Sequence, residues 1–159
     1  MLFRSISSGS VGIDAYNQAT SVPQTSGVTT SSISVVAYGT INSGSLLTGS
    51  SSRPAGILAG YRGGTTNTVN AAVYGNVTVD NFANINAAGG DGIRAYNYGS
   101  GNITVTDHTG TTIVTKDQFG IAASSYGTGQ VTVTTAAGDT SFTSIAFRLS
   151  TACLARPRR

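Results

Sequence analysis

The chain has 159 residues, an ordinary size for one domain. It holds 21 glycines, no tryptophan and no glutamate, and only 9% of its residues are charged. This excludes the highly charged disordered class and the Glu-, Lys- and Leu-rich helical class, and it leaves short strands with frequent turns.

The formal charge of +3 does not describe the body of the chain. Up to Ser141 six aspartates face five basic residues, Arg4, Arg53, Arg62, Arg94 and Lys116, a balance of −1. The basic excess sits in Arg148, Arg156, Arg158 and Arg159. A basic body of the kind that grips phosphate backbones is absent, so no nucleic-acid partner is expected. Cys153 stands alone and excludes an internal disulfide framework. The opening MLFRSISSGS has no apolar run and does not read as a signal peptide, and no window approaches a membrane span.

In chain order, Gly12 opens GIDAYN, and Ile33-Ser34-Val35-Val36 reads as the second strand of that copy. Gly56 opens GILAGYR, and a strand at Val77-Thr78-Val79 follows after an insertion. Gly92 opens GIRAYNYGSGNITV, which aligns without gaps, 28 residues on, with GIAASSYGTGQVTV from Gly120. A third short apolar element follows the second strand at Thr40-Ile41, Asn84-Ile85 and Thr112-Ile113.

No single copy can bury its own apolar side, but stacked copies can, with equivalent strands pairing at about 4.8 Å. The fold class predicted is therefore all-β, a parallel β-helix (β-solenoid) of about four coils of three short strands, roughly 20 Å long at that spacing. Residues 1–141 carry the repeats, with copies starting near 12, 56, 92 and 120. Period-two alternation turns Ile93, Ala95, Ile103 and Val105 inward and Arg94, Tyr96 and Thr104 outward. The leading glycines are expected to mark corners with positive φ.

Residues 142–159 form a basic tail of different character. Ile145, Leu149, Ala152 and Cys153 fall at helical spacing, which suits a short capping helix. The reading preferred over it is an interrupted solenoid with a foreign or frameshifted end. Open solenoid ends favour self-association.

Runs such as GDGIRAYNYGSGNITV and FGIAASSYGTGQVTV resemble the β-helical passenger regions of bacterial autotransporters and haemagglutinin-like surface proteins. The resemblance covers about residues 10 to 140 and concerns a style of repeat. It implies a right-handed β-helix, export across an outer membrane and an adhesive role at the cell surface. Host or cell-surface glycans or proteins are the implied partners, and outer-membrane association would come only through parts this chain lacks. The chain then reads as a piece of a longer passenger.

Catalysis on polysaccharides, the enzymatic alternative, needs acids or Asp with Arg converging on one face. The candidates Asp14, Asp91, Arg94, Asp107, His108 and Asp117 do not form a charged row, because Leu58 lies between Asp14 and Arg94 in the repeat. Turn and solvent roles are expected for them, and no catalytic residue is assigned. His108 is the sole histidine, so no metal and no cofactor are expected. A glycine-rich Gly89-Gly90-Asp91-Gly92 occurs once, whereas calcium-binding nonapeptides work by repetition.

Tyr74, Tyr98 and Tyr126 are assigned one repeat position, and Tyr16 and Tyr96 another. The first row is the candidate surface-binding site, since tyrosine offers apolar area with a polar tip. Its competing reading, a stabilising ladder, takes precedence. The expected function is a non-enzymatic structural or adhesive segment. The alternatives are a fragment of a β-helical polysaccharide-degrading enzyme, or a truncated reading frame without independent function.

Overall fold

The computed structural model describes residues 5–25, 28–29, 31–45, 54–116, 118–136 and 145–149. Among these there is no helix, and nearly every strand pairing is parallel. The strands are β1 (Ser5–Ser7), β2 (Ile13–Asn17), β3 (Gln24–Thr25), β4 (Val28–Thr29), β5 (Ser31–Ser43), β6 (Ile57–Tyr61) and β7 (Gly75–Ala87). Then follow β8 (Ile93–Asn97), β9 (Ile103–Asp107), β10 (Ile113–Thr115), β11 (Ile121–Ser125), β12 (Val131–Thr135) and β13 (Ile145–Leu149).

Two sheets carry the architecture. One runs β13-β11-β8-β6-β2 and is built from the strand that opens each copy. The other runs β1-β5-β7-β9-β12, with β10 also paired to β7. The remaining pair, β3 with β4, is a small antiparallel ribbon in the first insertion. This is a β-solenoid-like class: each strand hydrogen-bonds its equivalent in the neighbouring copy rather than its neighbour in sequence.

The register explains why. Ile13, Ile57, Ile93, Ile121 and Ile145 stand in line along the first sheet. Ile33, Val77, Ile103 and Val131 do so along the second, as do Ile6, Ile41, Ile85 and Ile113. A one-residue slip would turn every one of these side chains to the other face, so the pattern specifies the pairing. Ile57, Ile93, Ile121, Ile85, Ile103, Val77 and Val79 are fully buried, and the alanines Ala59, Ala95 and Ala123 fill the narrow space beside them. Each such isoleucine contributes about 1.5–3 kcal/mol by leaving water. In the outermost rungs Ile13, Ala15, Val131 and Val133 are only partly buried.

Three expectations are corrected, and one strand is added to the ladder. First, β5 and β7 are single strands of 13 residues that absorb both the second and the third predicted elements. The two elements separate only in the third copy, where β9 registers on Val77–Asn81 and β10 on Ile85–Ala87, with two extra residues looped out between them. Second, Ile145–Leu149 is a strand paired with β11, not part of a helix. The repeat therefore extends one strand beyond Thr140, while Ala152 and Cys153 lie outside the described residues. The added strand, Ser5–Ser7, joins the ladder of the third element, opposite Thr40–Asn42.

The third correction concerns the leading glycines. None of Gly12, Gly56, Gly92 and Gly120 has positive φ; among the described residues the positive values belong to Gly39, Gly63, Gly64 and Gly110. Their requirement is steric. A Cβ on Gly56 would overlap the Ile85 Cγ2 and the Gly92 carbonyl, and one on Gly92 would overlap the Ile113 Cγ2 and the Gly120 carbonyl. The opening strand and the third element meet at this corner, and only a hydrogen fits between them. The Gly-x-Gly pairs act alike: Cβ atoms on Gly101, Gly129 and Gly127 would strike the carbonyls of Gly75, Gly101 and Gly99.

Candidate functional site

The outward face of the first sheet carries a cleft of about 540 Å³, within the range of small-molecule sites, about 300–1,000 Å³. Three outward rows contribute to its floor and one wall, although Asp14, Tyr16 and Gly60 in these rows lie outside its lining. The first runs Asp14, Leu58, Arg94, Ala122, and the second Tyr16, Gly60, Tyr96, Ser124. Backbone bonds from Tyr98 to Tyr61 and from Tyr126 to Asn97 set the third row, in which Arg62, Tyr98 and Tyr126 are level. The opposite wall comes from the turn before β11, with Gln118 and the exposed Phe119.

Tyrosines pack the second and third rows. Tyr96 faces outward as expected but is only 8% exposed, because its ring leans over Gly60, which has no side chain to push it away. Tyr98 and Tyr126 stack at 4.2 Å with their planes 9° apart, and Tyr96 meets Tyr98 edge-on at 6.1 Å. Tyr74 is not level with them. The bond from Ser100 to Val73 places it opposite Ser100, two residues out of step with the expected row. The cause is Val73-Tyr74-Gly75, which supplies one tyrosine and one glycine where the later copies have Tyr-Gly-x-Gly.

A loop borders the cleft. Asn70 holds it by donating to the carbonyls of Gly63 and Thr20, while its own N–H donates to Tyr98. Gly63, at φ 72°, makes the left-handed turn that a side chain would resist. Asn67, near the loop's tip, borders the cleft.

The charged groups are ordered rather than merely solvated. Arg94 Nε donates to Asp91 Oδ2 at 2.6 Å, and Asp91 Oδ1 accepts the Phe119 N–H. Asp91 is 1% exposed, so the expectation of a solvent role is corrected: it is a buried bracket between β8 and the Phe119 turn. Arg62 Nε donates to the Tyr96 hydroxyl at 3.4 Å, and its guanidinium lies 4.2 Å from the Tyr16 ring centre. Asp14 is registered on Leu58, which separates it from Arg94 as the repeat implied. Partial burial pushes its carboxyl above the usual carboxylate value, against the opposing pull of Arg62.

Asp107 and His108 lie away from the cleft. Asp107 is buried inside the solenoid, where Oδ1 accepts from Asn81 Nδ2 at 2.7 Å and from the Thr111 hydroxyl, so it is an interior residue rather than a solvated one. His108 caps an outward ladder on the second sheet, Tyr38 on Phe82 at 4.9 Å and Phe82 on His108 at 3.7 Å, with Asp80 3.3 Å from its Nε2. Asp117 lies outside the described residues. Among the described residues no three His, Cys, Asp or Glu side chains gather where a metal could bind.

Burial raises the phenol pKa of both Tyr96 and Tyr98 above the ordinary 10.0. The unfolded chain then ionises first, so stability contributed by these groups is complete below about pH 10 and falls as pH rises toward their folded values. Urea midpoints measured from pH 8 upward should drop beyond about pH 10, and Tyr96→Phe should flatten the drop. An unchanged slope in that variant would remove Tyr96 from the account.

Phe119, Arg62 and the Asp91 bracket were not singled out in the sequence. Phe119 precedes a leading glycine, and that position is not aromatic in the other copies, so periodicity hides it. Comparison with family models, curated proteins and solved structures finds no match for this chain.

Proposed function

We propose that the chain is a non-enzymatic, adhesive segment of the bacterial surface-passenger type, a right-handed parallel β-helix of about four coils that binds glycans. The observation that carries the binding reading is the cleft: an exposed Phe119 faces the Tyr98–Tyr126 pair across a floor of Leu58, Ala122 and Tyr96. Aromatic walls with a few polar groups suit a sugar, whose C–H faces are apolar and whose hydroxyls need partners.

The stack also decides what each aromatic group can do. Rings 4.2 Å apart cover one face of each other, so Tyr98 and Tyr126 offer a ligand their edges, their hydroxyls and at most one face each. They serve as a ladder first and a wall second. Phe119 joins no ring stack among the described residues and supplies the open face.

A glycan array probed with the wild type and Phe119→Ala tests this. Wild type should bind a subset of glycans, and the variant should lose at least about tenfold in affinity for them, a stacking contact of about 1.5 kcal/mol. Equal binding by both, or none by either, would overturn the reading. Release of new reducing ends from the bound glycans would instead favour the polysaccharide-degrading alternative.

A further inference from the structure

Two guanidinium groups border the cleft, and they are held differently. The charge of Arg94 is matched within the wall by the buried Asp91. Arg62 has no carboxylate within 4.0 Å among the described residues. Its contacts are the Tyr96 hydroxyl and the Tyr16 ring, which orient a cation without cancelling it. The hydrogen bond it donates to Tyr96 is also the main cause that strengthens its hold on the proton.

Its place in the repeat gives this charge a direction. Arg62 is level with Tyr98 and Tyr126, so the third row reads cation, ring, ring along the cleft. A sugar lying along that row would set an apolar edge against the tyrosines and bring one end to the guanidinium. Arginine matches a carboxylate in a planar, two-point fashion that a lysine cannot reproduce. Because the side chain is already tethered, little ordering remains to be done on binding.

We propose that the cleft selects acidic glycans, with Arg62 donating to the carboxylate of a uronate- or sialate-type sugar; this rests on reading the cleft as a glycan site. Asp14 is the natural competitor. It is an exposed acid close enough to Arg62 to feel its charge, and no ion pair ties the two together. It lowers the positive potential at the end of the row and sets a limit on affinity.

The test pairs uronate- and sialate-bearing glycans with the same glycans after reduction of their carboxylates to alcohols. The full chain should bind the acidic members at least about tenfold more tightly, with the margin shrinking as salt is raised. Arg62→Gln should abolish the margin between the acidic and the reduced members of each pair. Arg62→Lys should keep part of it, and Asp14→Asn, an exposed change that spares the fold, should widen it. Equal affinity for both members of each pair would overturn the acidic preference and leave the glycan reading standing. Absence of binding to any member would overturn both. A margin that survives Arg62→Gln, or fails to move with Asp14→Asn, would overturn the role of Arg62.

Discussion

Gly92→Ala is expected to cost about 3 kcal/mol, the upper part of the range for overpacking a filled interior. The added methyl has no free direction. It meets the Ile113 side chain on one side and the Gly120 carbonyl on the other, and the carbonyl belongs to the parallel ladder that joins neighbouring copies. Shifting it would disturb the Ile93–Gly120 hydrogen bond of 2.9 Å that opens the next rung. Two glycines serve as controls in urea unfolding. Gly9→Ala meets nothing within 4 Å and should be neutral. Gly110→Ala also meets nothing, but at φ 86° it should lose about 1 kcal/mol from backbone conformation alone. If Gly92→Ala behaves like Gly110→Ala, the steric account of the leading glycine is wrong.

Asn97→Ala is expected to cost about as much for a different reason. Asn97 is fully buried at the end of β8, and its side chain makes three bonds to backbone. Nδ2 donates to the Gly75 and Gly101 carbonyls at 2.8 and 2.9 Å, and Oδ1 accepts the Gly99 N–H at 2.8 Å. These bonds brace the corner between the first sheet and the second. Each group left unsatisfied in the interior costs roughly 1–3 kcal/mol, and entry of a water would recover part of that, so a net loss of about 3 kcal/mol is expected. Ser125→Ala, one rung along at the same position, should change stability by under about 1 kcal/mol, since its hydroxyl makes no hydrogen bond among the described residues. Equal losses in the two variants would show that the cost follows loss of side-chain volume and not of the backbone bonds.

Burial extends both arguments to the polar interior. Asn81 and Asp107 bond each other across neighbouring rungs, and Asn81 also turns back to the Ala83 backbone. Such residues look like turn formers in the sequence, and they are. What the sequence does not reveal is that the turn faces inward, because Asn and Asp are common on outer corners too.

How far the sequence reaches differs from one feature to the next. Alternation of Ile and Ala with Arg and Tyr was enough to place Ile93, Ala95, Ile103 and Val105 inside, since a period of two leaves no other choice on a buried sheet. The ungapped match from Gly92 to Gly120 was enough to pair β8 with β11 and β9 with β12. Tyr74 was misplaced because the second copy has one Gly where the later ones have two, and a register cannot be counted through a gap of unknown position. The strand at Ile145–Leu149 was missed because Ser144 stands where the other copies have glycine, while isoleucine and leucine four apart fit a helix equally well.

The sequence by itself thus determined the class of fold, the stacking of copies and the two faces of each strand, because these follow from local periodicity repeated at fixed spacing. Only the tertiary structure decided what the repeat accomplishes at its corners and on its surface. There the leading glycines are kept small by neighbours distant in the chain, and Arg62, Tyr98 and Phe119 come together from the second and third copies. Those relations depend on which side chains become level across rungs, a distance that no single stretch of sequence contains.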